Sequence, residues 1–292
     1  MKYETSITEE ESKVIEELRC PAKKVRLTTE NGHVTGLEIR SANLEALPES
    51  ICALKYLRFL ILPINSLRRL PETLCRLTNL VELDLSYNKL TSLPAGFADL
   101  TGLRRLCLRE NDIKLMPDVF GKMTHLTDLD LAGNWFEVLP ESICKLRDLC
   151  RLNIQYNALK TLPERFGNLI NLRDFCASFN LLESLPKSFG DLLSLRSTDI
   201  RYNRLTSLPE SFTNLASLSK VNLSLNFLKT LPENMGKLSA LKNLCVRYNL
   251  LETLPGSLGS IESLQKVNIS HNKIKSRDEV RKIFVNGVLI RF

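Results

Sequence analysis

Leu80-Val-Glu-Leu-Asp-Leu-Ser-Tyr-Asn-Lys-Leu-Thr-Ser-Leu-Pro94 returns in outline as Leu103-Arg-Arg-Leu-Cys-Leu-Arg-Glu-Asn-Asp-Ile-Lys-Leu-Met-Pro117. The shared frame is L-x-x-L-x-L-x-x-N-x-L-x-x-L-P. Units begin at Val34, Leu57, Leu80, Leu103, Leu126, Leu149, Leu172, Leu195, Leu218, Leu241 and Leu264, always at the interval that separates Leu80 from Leu103. Ten full units and one partial result, with no insertion. The ninth position is Asn from Asn65 to Asn272, and only the first unit departs, with Ala42. Ten of the twelve prolines stand at the fifteenth position, from Pro48 to Pro255. A fixed period of this length marks a stacked array in which each unit is one supersecondary element.

The spacing dictates the architecture. Apolar residues at positions 1, 4, 6, 11 and 14 turn inward as a short strand runs into a loop, and one unit alone cannot bury that face. Stacked neighbours make a continuous core, with strands at positions 3 to 8 lying parallel about 4.8 Å apart. The Asn column supplies an amide where the chain turns and backbone groups would otherwise be orphaned, at about 1–3 kcal/mol each. The Pro column fixes φ where the chain leaves the loop. Within the core, Phe175 at position 4 is flanked by Ala177 and by Thr198 of the next unit, one large residue beside two small ones, as conserved core volume requires.

Both ends carry cap signals. Thr8 and Glu11 form a capping box before Val14, Ile15 and Leu18, predicting a helix over 8–18. A hairpin follows, with Asn31-Gly32 as its turn. At the other end Ser276 is placed to cap a helix over 277–284, and the apolar tail Val288 to Phe292 is expected to cover the last leucines. The expected organisation is an N-terminal cap over 1–33, a solenoid over 34–275 and a C-terminal cap over 276–292.

The net charge is +7 and the pI about 9.0. Lys266, Lys273, Lys275, Arg277, Arg281, Lys282 and Arg291 crowd the C-terminal end against Asp278 and Glu279. The body is therefore close to neutral, and a nucleic-acid footprint is not expected. The basic end reads as a solvated cap. No apolar h-region opens the chain and no stretch approaches the length of a membrane span. The cysteine-paired caps of secreted solenoids are missing, so a cytoplasmic monomer is expected.

Positions 3, 5, 7, 8 and 10 are expected to face outward. Position 3 runs Glu82, Arg105, Asp128, Arg151, Asp174, and position 12 alternates Glu137, Lys160, Glu183, then Lys229, Glu252, Lys275; both read as self-satisfying charge ladders. Position 7 alternates Ser86, Arg109, Ala132, Gln155, Ser178, Arg201, Ser224, Arg247, Ser270. Either long side chains are spaced to avoid collision, or the arginines form a comb for a partner's carboxylates. Position 8 brings Tyr87, Tyr156, Phe179, Tyr202 and Tyr248, and position 10 adds Trp135 and Phe227. Aromatics beside arginines match interface hot-spot composition, so Tyr87, Arg109, Trp135, Tyr156, Phe179, Arg201, Tyr202, Phe227, Arg247 and Tyr248 are the candidate partner-binding residues. Gly133 is expected to leave open space around Trp135. A second candidate patch, Phe59, Ile61 and Ile64, occupies outward positions that are polar elsewhere; either the N-terminal segment covers it or a partner does.

Catalytic signals are sparse. There is no phosphate-loop, dinucleotide or metalloprotease motif, and His33, His125 and His271 lie in different units. Cys107, Cys176 and Cys245 share position 5 but are three units apart, too far to bridge. No cofactor is expected. One acidic constellation, Glu82, Asp84, Asp128 and Asp130, is the alternative reading as an enzyme or cation site, with Arg105 and Arg109 lying between.

The unit Leu80 to Pro94, followed by x-x-Phe97-x-x-Leu100, resembles the 23-residue intracellular leucine-rich-repeat class. That class includes the Ras-suppressor and Scribble-type scaffold proteins and the plant Ras-group repeats. The likeness runs from about 34 to 275. It implies an α/β leucine-rich-repeat solenoid, curved, with parallel strands on a concave face. It also implies a protein-interaction scaffold, in some members tied to small GTPases or phosphatases. The hairpin Glu30-Asn-Gly-His-Val-Thr-Gly-Leu37 is similar to N-terminal caps across diverse leucine-rich repeats. No functional residue is carried over from the class.

Overall fold

The computed structural model describes residues 7–19, 25–118, 120–284 and 287–292. It divides into two compact units, 1–136 and 137–292. In the first, helix α1 (Glu9–Arg19) precedes strands β1 (Arg26–Glu30), β2 (His33–Glu38), β3 (Phe59–Ile61), β4 (Glu82–Asp84), β5 (Arg105–Cys107) and β6 (Asp128–Asp130). β1 and β2 form the expected antiparallel hairpin, with Asn31 at φ 51° and Gly32 at φ 76° in its turn. From β2 onward each strand pairs parallel with the next. The second unit holds β7 (Arg151–Asn153), β8 (Asp174–Cys176), β9 (Ser197–Asp199), β10 (Lys220–Asn222), β11 (Asn243–Cys245), β12 (Lys266–Asn268), helix α2 (Arg277–Ile283) and β13 (Leu289–Arg291), its strands again parallel and in register. This is the leucine-rich-repeat solenoid that the period predicts.

The frame behaves as its chemistry requires. Leu80, Leu83, Leu85 and Leu90 are fully buried, and their counterparts along the chain are buried apart from the part-exposed Ile274 of the last unit. After the proline, each repeat makes a short 3-10 helix such as Glu49–Ala53, with Pro48 at φ −71° and its carbonyl accepting from the Ile51 amide at 3.1 Å. Phenylalanines 97 and 120 in the first unit, and 166, 189 and 212 in the second, are fully buried behind these turns. The asparagine column is a hydrogen-bond ladder. Asn88 Nδ2 donates to the carbonyls of Leu62, Leu85 and Ser86 at 3.0–3.2 Å, while its Oδ1 accepts from the Leu67 amide at 3.0 Å. Within each unit, such side chains close their own turn and tie it to the preceding repeat.

The capping box is formed. The Glu11 amide donates to Thr8 Oγ1, and the Thr8 amide donates to Glu11 Oε2. Glu11 is buried and also accepts from the Val34 amide, which fastens α1 to the first repeat. At the far end Ser276 caps α2 by accepting from the Glu279 amide. The tail meets the last repeat as a strand, with Ile290 opposite the buried Val267. Residues 289–291 add a strand to β12, leaving Leu289 exposed, and the buried apolar groups of α2 and its end are Val280 and Phe284. An extended tail at an open sheet edge satisfies backbone donors and acceptors that a loose apolar cover would leave bare. Asn286 of that segment lies outside the described residues.

Candidate functional site

Position 8 is where local geometry and chemistry meet. Tyr87, Tyr156, Phe179, Tyr202, Leu225, Tyr248 and His271 all lie at φ between 53° and 58°, in the left-handed region. Large side chains rarely sit there, and each instance costs on the order of 1 kcal/mol. The frame enforces it: the amide at position 8 donates to the next strand (Tyr87 to the Arg109 carbonyl, 2.8 Å), and one residue later the Asn ladder pins the turn.

Within each unit, position 8 therefore projects its side chains outward, and in the second unit they form a row. In the second unit, Tyr156 stacks on Phe179 with ring centroids 4.4 Å apart, and Phe179 on Tyr202 at 4.5 Å, with interplanar angles of 11° and 15°. The Arg201 guanidinium lies over the Phe179 ring at 5.7 Å. Farther along, Tyr248 stacks on His271 at 4.1 Å, under the Arg247 guanidinium at 5.4 Å. In the first unit Arg109 Nε donates to Tyr87 Oη at 3.2 Å. That bond above all, with Asp130 and Glu110 near, raises the pKa of Arg109 above its ordinary value and keeps it charged. Tyr156 and Tyr202 remain half exposed despite the stacking. Trp135 and Phe227 are exposed as well, but among the described residues they share no ring contact with the position-8 row.

Two sequence expectations need correcting, and one open alternative is narrowed. First, position 7 does not face outward throughout. Ser86, Ala132, Ser178 and Ser224 are buried, and Ser178 Oγ donates to Gln155 Oε1 at 3.3 Å. The small residues sit beneath their long neighbours, in keeping with the packing reading of the alternation; Arg201 and Arg247 are exposed, and Arg109, Gln155 and Ser270 are part-exposed. Second, Gly133 is not beside open space: the Glu110 carboxylate lies within 2.6 Å of where a Cβ on Gly133 would stand, and Glu110 is paired with Arg109 at 3.6 Å. Third, of the two alternatives for Phe59, Ile61 and Ile64, the described N-terminal residues do not supply the cover. Helix α1 packs on the Glu49–Ala53 turn, and Phe59 and Ile64 stay exposed, with Arg58 over the Phe59 ring at 5.5 Å.

Sequence reasoning missed what position 5 does. In the ladder, position 6 and position 8 amides reach the next strand, and the position 7 amide between them has no strand partner. The position 5 side chain takes it: Asp84 Oδ1 accepts from the Ser86 amide (2.9 Å), Asp130 from Ala132 (2.9 Å), Asp199 from Arg201 (3.1 Å), Asn222 from Ser224 (3.2 Å) and Asn268 from Ser270 (3.2 Å). The recurrence of Asp or Asn at that position was the available signal. Two members of the acidic constellation are thus engaged in turns, Glu82 pairs with Arg105 at 3.6 Å, and Asp128 Oδ2 accepts from Thr127 Oγ1. Among the described residues no His, Cys, Asp and Glu group has the arrangement of a metal site. Cys107 stands at position 5 too, and burial, chiefly, pushes its thiol up to about 12. On the position 12 ladder Lys275 bonds Glu252 and holds its carboxyl below the usual range.

Leucine-rich-repeat family models match the chain: a leucine-rich-repeat region over 98–186, and leucine-rich repeats over 55–113, 194–215 and 216–274. No curated protein matches it significantly. Among solved structures it is similar to a leucine-rich-repeat protein of Leptospira interrogans, at 29% identity and TM-score 0.70, over 86% of this chain and 70% of that one. It is similar to the ectodomain of the Arabidopsis thaliana membrane receptor kinase GASSHO1/SCHENGEN3, solved in complex with CASPARIAN STRIP INTEGRITY FACTOR 2, at 26% identity and TM-score 0.77, over 85% of this chain and 31% of that one. The internalin InlF of Listeria monocytogenes shares the fold at 17% identity and TM-score 0.63, over 97% of this chain and 94% of that one. The chain thus spans less than a third of the plant ectodomain. No described helix is long and apolar enough to cross a membrane.

Proposed function

We propose that this leucine-rich-repeat solenoid is a non-enzymatic interaction scaffold that binds a protein partner on its strand face and along the aromatic row. The observation that carries the reading is the stack Tyr156–Phe179–Tyr202 with Arg201 across it. Aromatic side chains already ordered against one another lose little rotamer freedom on binding, which is the cost that weakens most interfaces. Tyr and Arg are also the residue types that dominate interface energetics. The similarity to a plant receptor ectodomain crystallised in complex with CASPARIAN STRIP INTEGRITY FACTOR 2 supports the class of function.

The proposed contact residues are Tyr156, Phe179, Arg201, Tyr202, Phe227, Arg247 and Tyr248 in the second unit, and Tyr87, Arg109 and Trp135 in the first. Phe59, Ile61 and Ile64 form a separate apolar contact. A cytoplasmic setting agrees with cysteines that are unpaired throughout the described residues. The class resemblance makes small GTPases and phosphatases the first partners to try. Affinity capture from a native extract, with a triple variant Arg201→Glu, Arg247→Glu, Tyr202→Ala as control, tests the reading. Partners are expected to be retained by the wild type and lost by the variant. A variant of unchanged melting temperature that captures the same partners as strongly would overturn it.

A further inference from the structure

The two units sort their charge differently on the strand face. At positions 3, 5 and 7 of β4 to β6 the ionisable side chains are Glu82, Asp84, Asp128 and Asp130 against Arg105 and Arg109, with the Cys107 thiol between them. On β9 to β12 the charged ones are Lys220, Lys266, Arg201 and Arg247 against Asp199 alone. Asp199 is already neutralised, one oxygen accepting from the Arg201 amide and the other lying 3.5 Å from the Arg201 Nε. Among the described residues Lys220 and Lys266 make no ion pair, nor do Arg196 and Lys242 at the exposed strand entrances. A chain close to neutral over its body thus carries an uncompensated basic face on one of its two units.

Two of the uncharged groups on that face have the same polarity. Asn222 and Asn268 spend their Oδ1 atoms on Ser224 and Ser270, accepting from the amide and the hydroxyl of each at 2.7–3.2 Å. Their Nδ2 groups make no hydrogen bond among the described residues, so these two amides offer donors to a ligand and no free acceptor. Together with Asn243 they line a shallow cavity of about 390 Å³ between Lys220 and Lys266. The ammonium groups of Lys220 and Lys266 and the amide N–H groups of Asn222 and Asn268 line this cavity beside the Arg201-paired Asp199, with Arg201 and Arg247 outside its lining, and such donors select an oxygen-rich anion.

We infer that the β9–β12 face takes an extended, acidic polypeptide segment of the partner, its carboxylates held by Lys220, Lys266, Arg201 and Arg247 and its backbone carbonyls by Asn222 and Asn268. This rests on the protein-binding reading above and names the chemistry of the partner. Lys220 and Lys266 stand two strands apart, as do Arg201 and Arg247, which is roughly 10 Å. An extended chain covers that span in about three residues, so carboxylates at every third position meet both members of a row. Single-stranded nucleic acid fits less well. Its bases need open aromatic faces, and of the aromatic residues by this face Phe179 has both faces covered by Tyr156 and Tyr202 while Phe227 is exposed, so the oligonucleotide is the competing occupant in the test.

The test uses the full chain at about 0.15 M salt, where screening suppresses loose charge attraction. Fluorescence anisotropy is measured with a twelve-residue peptide carrying Glu at every third position between Ser and Ala, the same peptide with Gln for Glu, and a single-stranded oligonucleotide. The Glu peptide is expected to bind at least tenfold more tightly than either of the others. Lys220→Glu with Lys266→Glu should abolish its binding, while Lys220→Arg with Lys266→Arg should keep it, both at unchanged melting temperature. Equal binding of the Gln peptide, tighter binding of the oligonucleotide, or an unaffected charge-reversed variant each overturns the inference. If the Glu peptide does not bind but capture from extract still depends on Tyr202, Arg201 and Arg247, the acidic class is wrong and the scaffold reading stands. If the triple variant also captures what the wild type captures, both fall.

Discussion

Thr198 shows how tightly one residue can be fixed by its neighbour. It sits in β9 directly opposite Phe175 of β8, whose ring packs at 5.1 Å from Phe166 and 6.0 Å from Phe189. The threonine is buried, and its hydroxyl has no hydrogen-bond partner. Thr198→Val keeps the volume and removes an unsatisfied polar atom, so it should raise the unfolding free energy by about 1 kcal/mol. Thr198→Leu restores the consensus residue but overfills the space beside Phe175, and should lower it by about 1–3 kcal/mol. Urea denaturation of both variants checks the pair, and a Leu variant more stable than wild type would refute the packing account. The buried thiols make a second prediction. Burial, first, lifts Cys75 to about 11 and Cys107 and Cys144 to about 12, so the folded chain holds those protons at pH values where the unfolded chain loses them. The contribution of these thiols to stability is therefore fully present below about pH 9 and falls as pH rises from there toward 12. A Cys75→Ala, Cys107→Ala, Cys144→Ala variant should show a flatter loss of melting temperature between pH 9 and 11.

At the scale of the element, the repeat's turn is held by one amide making four bonds. Asn226 donates to the carbonyls of Ile200, Leu223 and Ser224 at 3.0–3.4 Å and accepts from the Leu205 amide at 3.0 Å. Asn226→Ala orphans buried groups in two repeats and should cost about 3 kcal/mol or more. Asn272→Ala, at the part-exposed last turn, should cost clearly less because water replaces its bonds. Equal losses in chemical denaturation would show that the ladder is not what holds the turns. These columns were readable because leucine, asparagine and proline each have one reason to be where they are. The cap helices, Thr8–Glu11 and Ser276 included, were readable for the same reason. The left-handed backbone at position 8 was not, since tyrosine and phenylalanine have no propensity for it and only the two-sided bonding of the turn imposes it. The outward reading of position 7 failed because strict alternation along a strand ends where the turn begins, and the repeat strands span only positions 3 to 5. What the candidate site shares with the frame, its register, was legible. What distinguishes it, the stacking and the sorting of charge, depends on neighbours a full repeat away in the chain.

For the molecule as a whole, stability is a sum over adjacent repeats, because each repeat touches chiefly the next. The asparagine bonds reach across 21 or 26 residues at every step within each unit. Deleting a whole repeat therefore hands every severed bond an equivalent partner, and the frame is indifferent to how many repeats it has. The position 7 alternation is not indifferent. Removing 218–240 would set Arg201 beside Arg247 on adjacent strands about 4.8 Å apart, whereas removing 218–263 sets Arg201 beside Ser270. The shorter deletion should then gain melting temperature as salt is raised from about 0.05 M to about 0.5 M, and the longer one should not. A salt response that is the same in both would refute the idea. If it holds, this chain can change length without penalty only two repeats at a time, twice its visible period. Any insertion or loss that enlarged or trimmed its lineage would then have been filtered for even multiples, so the true hereditary module is a pair of repeats.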